Sequence, residues 1–91
     1  MNIVERLRDM QKMSLYIDGN FNVTYKYDGS NRIVEEKVTG AVNRVTTYEY
    51  DAQDNVTKEI YNDGLKIITK VFTYDVVSGN LTSIQGSTAK I

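Results

Sequence analysis

The sequence contains no cysteine, histidine, proline or tryptophan among its 91 residues. Without cysteine the chain has no disulfide and no thiolate nucleophile. Without histidine it lacks the most versatile general base and the commonest metal ligand. Its serine and threonine hydroxyls therefore have no imidazole to activate them. We accordingly predict a protein that is not an enzyme, with no catalytic residues, no cofactor and no metal ion.

Net charge is also nearly absent. The chain has 11 Lys and Arg against 12 Asp and Glu, a formal charge of −1. Such a balance gives no field to attract nucleic acid, so we expect no nucleic-acid partner. The longest uncharged run, residues 76–89, is polar, so we expect no membrane insertion. The first residues lack a basic segment followed by an apolar one, which predicts synthesis in the cytoplasm without a signal peptide.

The residues that are present favour β-structure. Val, Ile, Thr, Tyr and Phe make up 36 of the 91 residues, whereas Leu and Ala make up 7. β-Branched and aromatic side chains suit a pleated sheet. The beginning of the chain differs, because Ile3, Leu7 and Met10 recur at helical spacing among charged residues. We therefore predict a short amphipathic helix within residues 1–13.

From residue 14 onward, short turn signals divide the chain. Gly, Asn or Asp, each of which tolerates a positive φ, is followed by Asn or Arg and then by an apolar residue. The copies begin at Gly19, Asn31, Asn43, Asp54 and Gly79. They predict an antiparallel β-meander of about seven strands in a domain of residues 14–86, with a C-terminal tail at 87–91. The predicted strands are 14–18, 21–28, 32–39, 43–50, 55–62, 65–74 and 80–85.

A longer period lies over this pattern. Tyr25-Lys26-Tyr27-Asp28 recurs as Tyr48-Glu49-Tyr50-Asp51 and as Phe72-Thr73-Tyr74-Asp75. Each copy puts two aromatic side chains on one face of a strand. Each aspartate comes where a turn begins, and its carboxylate can accept backbone N–H groups. We therefore interpret Asp28, Asp51 and Asp75, with Asn31, Asp54 and Gly79, as turn-forming residues and not as acid–base or calcium groups.

The pattern aromatic-x-Tyr-Asp, a short turn, then Gly-Arg/Asn-apolar resembles the YD repeat of Rhs and teneurin-type proteins. The resemblance extends over roughly residues 14–85, with Asn31 and Asp54 in place of the glycine in two copies. In that family many repeats form a long β-strip that coils into a shell around a toxic domain. Three copies are too few to enclose anything, so the resemblance implies the hairpin unit and not encapsulation. The chain also resembles small bacteriophage structural proteins.

The distribution of apolar residues predicts that the sheet needs neighbours. Strand 65–74 has apolar side chains on both faces, and a single sheet cannot cover both. An unclosed meander also has two edge strands with unpaired backbone groups. We expect protein partners, either copies of the chain in a homo-oligomer or other subunits of a hetero-complex. The interface candidates are Tyr25, Tyr27, Tyr48, Tyr50, Ile68, Phe72 and Tyr74 on the sheet, and Ile3, Leu7 and Met10 on the helix.

The leading hypothesis is a structural protein that assembles into a virion or tail-like particle through sheet edges, the tyrosine-rich face and the helix. One alternative is a carbohydrate or cell-surface binding module that uses exposed tyrosines at 25–27 and 48–50 to bind glycan. A second alternative is an orphan cassette of a larger Rhs-like repeat array.

Overall fold

The computed structural model describes residues 17–91, and these residues form one antiparallel sheet of six strands without a helix. The strands are β1 (Phe21–Tyr27), β2 (Ile33–Gly40), β3 (Arg44–Tyr50), β4 (Val56–Asn62), β5 (Lys66–Tyr74) and β6 (Leu81–Lys90). They lie in the order β1-β2-β3-β4-β5-β6, each hydrogen-bonded to its neighbours in the chain. The predicted antiparallel meander is confirmed.

A helix and a strand were predicted at the start of the chain, and they lie wholly or partly outside the described residues. The described residues form six strands where about seven were predicted; residues 14–16 of the predicted strand 14–18 lie outside the described residues, and residues 17 and 18 are not in a strand. Asp18 and Gly19 form a bend there, and Gly19 has a φ of 94° that interrupts an extended chain. The predicted helix over residues 1–13 lies outside the described residues.

The C-terminal strand is longer than predicted. β6 runs to Lys90, so most of the predicted tail at 87–91 is paired with the first half of β5. Lys66 pairs with Lys90, and the N–H of Ile91 donates to the carbonyl of Leu65 at 3.0 Å. Apart from Thr88, the residues of this stretch have no strong strand propensity, and the paired β5 backbone determines their conformation.

The sheet consists of three hairpins of equivalent construction: β1–β2, β3–β4 and β5–β6. In each hairpin the register shifts immediately before the tyrosine of the aromatic-x-Tyr-Asp motif, and one residue of the returning strand bulges out. The tyrosines at these shifts are Tyr27, Tyr50 and Tyr74. The longer sequence period therefore corresponds to a structural unit of one hairpin.

The two faces of the sheet differ in burial. One row of paired residues runs across all six strands, and the side chains of such a row share a face. We call this the inner face; its row is Tyr25, Glu36, Thr46, Tyr61, Ile68 and Thr88. All six buried residues of the described chain lie on it: Ile33, Glu36, Val38, Thr46, Tyr48 and Val56. The outer face contains none of them, so the core is one-sided.

Candidate functional site

The aspartates of the repeated motif organise the turns at one end of the sheet. Oδ1 of each accepts two backbone N–H groups from the following turn, at 2.8–3.0 Å. The aspartates are Asp28, Asp51 and Asp75. The N–H of Arg32 and of Ser78 lower the pKa of Asp28 and Asp75, because these bonds favour the ionised carboxylate.

Each of these turns ends in a left-handed residue. Asn31 and Asp54 have φ values of 61° and 66°, and Gly79 has 76°. Asn and Asp are the non-glycine residues that adopt this conformation most readily. The structure therefore places the six turn-forming residues of the sequence analysis in three equivalent turns.

Arg32 joins the first of these turns to the second. Its Nε donates to Oδ2 of Asp28 at 2.7 Å, and its Nη1 donates to Oδ1 of Asp54 at 3.0 Å. The guanidinium also lies over the ring of Tyr50, with Cζ 4.9 Å from the ring centroid. Sequence reasoning treated Arg32 only as part of a turn signal. Its planar group with several donors is the feature that suits it to bridging two acids.

The tyrosine of one hairpin is bonded to the backbone of the preceding hairpin. The hydroxyl of Tyr50 donates to the carbonyl of Ile33, the first residue of β2. The hydroxyl of Tyr74 donates to the carbonyl of Val56, the first residue of β4, at 2.7 Å. The same bond thus occurs at both junctions between hairpins.

This junction also explains how the core is covered. Ile33 and Val56 are 3% and 0% exposed, and Tyr25, Tyr50 and Phe72 pack against the cluster that they form with Tyr48. Leu81 is the equivalent first residue of β6, and it is 43% exposed. No further hairpin follows β6 in the described chain, so Leu81 lacks the cover that its two counterparts have.

Within residues 17–91, no strand pairs with the outer side of β6 along its full length. All ten of its residues are exposed, and Ile84, an inner-face residue three positions after Leu81, is 52% exposed. An antiparallel edge strand pairs on one side only, so its other N–H and C=O groups point outward. Lys90 at the far end is the only charged residue in this strand. The strand thus has few of the features that prevent edge pairing.

The predicted interface residues differ in how far they are buried. Tyr48 is buried, whereas Tyr27 is 49% exposed. Tyr25, Tyr50 and Phe72 are half-buried against the core cluster, and Tyr74 and Ile68 are also half-buried on the inner face. Ile3, Leu7 and Met10 lie outside the described residues. The tyrosine-rich face is therefore largely a core within the described residues, and its burial excludes Tyr48 from stacking on a ligand.

Two polar groups inside this core were not anticipated by the sequence analysis. Oε2 of Glu36 and the hydroxyl of Tyr48 are buried and have no hydrogen-bond partner in the described part of the chain. Burial raises the pKa of Glu36, against the opposing effects of the Tyr25 hydrogen bond and the Arg44 charge. Burial likewise raises the pKa of Tyr48. The alternation of β2 places Glu36 on the inner face, which is the signal that could have identified it.

Residues 17–91 contain neither a cluster of side chains that could bind a metal ion nor a helix that could span a membrane. No three His, Cys, Asp or Glu side chains of these residues come together as a metal-binding group. No helix in the same range is long and apolar enough to cross a membrane.

Residues 27–66 match the model of the RHS Repeat family. This segment runs from the end of β1 through the second hairpin to the start of β5. The match confirms that the chain contains the YD-type β-hairpin repeat, and the protein is therefore a repeat-containing β-protein. Comparison with curated proteins and with solved structures gives no match. The likeness to bacteriophage structural proteins stays a prediction.

Proposed function

We propose that this protein is a non-enzymatic structural subunit that docks to neighbouring subunits through the open edge of its sheet. The observation that carries the proposal is the exposure of Leu81 at a position where Ile33 and Val56 are buried. The first two hairpins each obtain this cover from the next hairpin, so the third has an interface of the same type without an occupant among residues 17–91.

The chemistry of the edge supports docking. Leu81 and Ile84 present apolar surface on the inner face beside the unpaired backbone of β6. Strand addition satisfies backbone groups and buries such side chains at the same time. In this proposal the sheet edge provides the main contact, and the tyrosine-rich face stabilises the subunit itself.

The more specific form of the proposal is a component of a virion or tail-like particle, in which symmetry repeats one small interface many times. Its support is the open edge of a sheet that is built from hairpin repeats. The direct test is mass spectrometry of particles purified from cultures of the organism whose genome encodes the chain. Stoichiometric recovery of the chain in intact particles supports this role, and its absence from them contradicts it.

Self-association tests docking itself. We expect the wild-type chain to form larger species as its concentration rises in sedimentation velocity. The double variant Leu81→Lys/Ile84→Lys should stay monomeric, because lysine at an edge opposes strand pairing. The matched control is Val76→Lys/Val77→Lys, which changes two almost fully exposed apolar residues of the β5–β6 turn by the same charge. A wild-type chain that stays monomeric throughout, or a control that dissociates equally, contradicts the proposal.

The orphan-cassette alternative has one observation in its favour. The family match covers residues 27–66, and the strip is open at β6, as a segment of a longer array would be. In that case the edge should prefer hairpins of a longer Rhs-like protein over a second copy of this chain. A competition experiment that adds such an array to the self-associated protein distinguishes the two, because the array then displaces the copies.

A glycan-binding function is favoured by a different feature, a groove of about 560 Å³ between the β3–β4 and β5–β6 turns. Phe72 and Tyr74 line it together with polar side chains that include Gln53 and Asn55. Aromatic rings beside amides are suited to sugar recognition. Glycan-array binding that disappears in Gln53→Ala supports this function, and an array without a signal contradicts it.

A further inference from the structure

We propose that the occupant of the β6 edge is strand β1 of a second copy of this chain, paired in the register that joins the hairpins within one copy. The inference rests on the proposed function and names its partner and geometry. The two junctions between hairpins, β2–β3 and β4–β5, share one register. β6 is the third strand of the same kind, and it has no neighbour of this type among the described residues.

The first junction defines the rule. β2 begins at Ile33, and three residues later Glu36 pairs with Thr46 of β3. Thr46 precedes the first aromatic of its motif, Tyr48, by two residues. Two offsets thus define the register. The paired residue of the returning strand lies three positions after its first residue, and its partner lies two positions before the first aromatic of the next motif.

The second junction has the same offsets. β4 begins at Val56, and three residues later Glu59 pairs with Lys70 of β5. Lys70 precedes Phe72, the first aromatic of the next motif, by two residues. The register is therefore a property of the repeat, and it does not depend on the particular side chains at each junction.

Applied to the open edge, the rule pairs Ile84 with Val23 of the second copy. Ile84 lies three residues after Leu81, and Val23 lies two residues before Tyr25. Both side chains are apolar and belong to the inner face, so the pairing buries Ile84 against a β-branched partner.

The neighbouring pairs are also compatible. Ser83 meets Thr24 and Gln85 meets Asn22 on the outer face, so polar side chains face polar ones. Gly86 meets Phe21 on the inner face, an aromatic-on-glycine pair that suits a sheet. Residues 83–86 and 21–24 contain no charged residue, so this pairing desolvates no ion.

The resulting assembly is head-to-tail. β6 of one copy and β1 of the next are different surfaces, so each copy keeps one edge of each kind and the contact propagates. Six strands at about 4.8 Å spacing advance the strip by about 29 Å per copy. The described residues show β1 at one edge of the sheet and β6 at the other, as this arrangement requires.

Disulfide trapping tests the register, and the absence of native cysteine makes it unambiguous. The variants Thr24→Cys and Ser83→Cys each change one exposed polar residue at opposite edges of the sheet. Directly paired strand residues have Cα atoms about 4.5–5.5 Å apart, within the range of a disulfide. One variant is labelled with ¹⁵N, the two are mixed under mild oxidation, and mass spectrometry identifies mixed dimers.

We expect a mixed disulfide dimer to form about tenfold faster than in the control mixture of Thr24→Cys with Gln85→Cys, whose side chain lies one pair further along the same face. The double variant Thr24→Cys/Ser83→Cys should give a ladder of oligomers. In the reduced state, each single variant should sediment like the wild-type chain, which shows that it folds.

Four results overturn the inference. Dimerisation of Ser83→Cys alone at the rate of the mixture would contradict it, because that rate would indicate two β6 strands paired by a two-fold axis. Equal trapping by the Gln85→Cys control would contradict the register. Wild-type self-association without trapping would assign docking to another surface and leave the proposed function standing. A wild-type chain that does not self-associate removes the proposed function as well.

Discussion

The hydroxyl of Tyr74 donates a hydrogen bond to the backbone carbonyl of Val56 at 2.7 Å. Val56 is fully buried at the start of β4, and Tyr74 ends β5 in the next hairpin. The bond therefore connects two repeat units through a side chain, in addition to the strand ladder between them. Tyr50 and Ile33 have the same relationship at the other junction.

Removing this hydroxyl should weaken the fold. We expect Tyr74→Phe to lower the free energy of unfolding by about 1 kcal/mol, because the buried carbonyl of Val56 loses its donor. Urea denaturation measures the change. Tyr48→Phe is the matched control, since the Tyr48 hydroxyl is buried without a partner among the described residues and its removal should be neutral or stabilising. Equal losses in both variants would contradict this role for the Tyr74 bond.

Gly40 should be intolerant of a side chain. Its φ is 113°, and a Cβ at this position would lie 2.6 Å from the backbone oxygen of Asn20. We expect Gly40→Ala to lower the free energy of unfolding by more than about 1 kcal/mol. Gly29→Ala is the control, because a Cβ there has no atom within 4 Å in the described structure and should stabilise by about 0.4–1 kcal/mol. A Gly40→Ala variant as stable as wild type would refute the predicted clash.

Glu36 should destabilise the fold at neutral pH. Burial raises its pKa above that of the unfolded chain, so the ionised side chain opposes folding. We expect Glu36→Gln to raise the Tm at pH 7, with a gain that shrinks as the pH falls toward about 4.5 and is absent below it, where the carboxyl is protonated in both states. Glu35→Gln is the control on the opposite face, where the carboxylate lies 3.4 Å from Lys26. A gain that is constant with pH would show that ionisation is not its cause.

Asp63 should contribute stability that acid removes. The N–H groups of Leu65 and Lys66 lower its pKa to about 2. Because the folded pKa lies below the unfolded one, the contribution is present above about pH 4 and is lost as the pH falls toward 2. We expect Asp63→Asn to have a lower Tm at pH 6 and a smaller loss of Tm between pH 4 and 2. Glu49→Gln, which changes an exposed carboxylate 3.9 Å from Lys58, is the control. An Asp63→Asn profile parallel to wild type would contradict the prediction.

The sheet was predictable from the sequence because local signals mark every turn that the structure describes, including Asp63-Gly64 between β4 and β5. Asn31 and Asp54 adopt the positive φ that their positions in the repeat indicate, and the strands between such turns pair with their chain neighbours. The extent of β6 was not predictable in the same way. Ser87 and Ala89 have no local strand preference, and their pairing with Thr69 and Ile67 determines their conformation.

The candidate site was predictable only in part. The aromatic periodicity indicated which side chains share a face, but not that Tyr48 would be buried while Tyr27 stays half exposed. That difference depends on whether a neighbouring hairpin covers the position. The roles of Arg32 and Glu36 likewise depend on residues of other hairpins, which a single repeat does not specify.

The meander order has a kinetic consequence. Each strand pairs only with strands adjacent in the chain, so every ladder in the described sheet closes across a single short turn. Contacts between nearby residues cost little loop entropy, and sheets without distant pairings fold quickly for their class. A nascent chain can therefore complete one hairpin before the next is synthesised, and each finished hairpin serves as the template on which its successor folds.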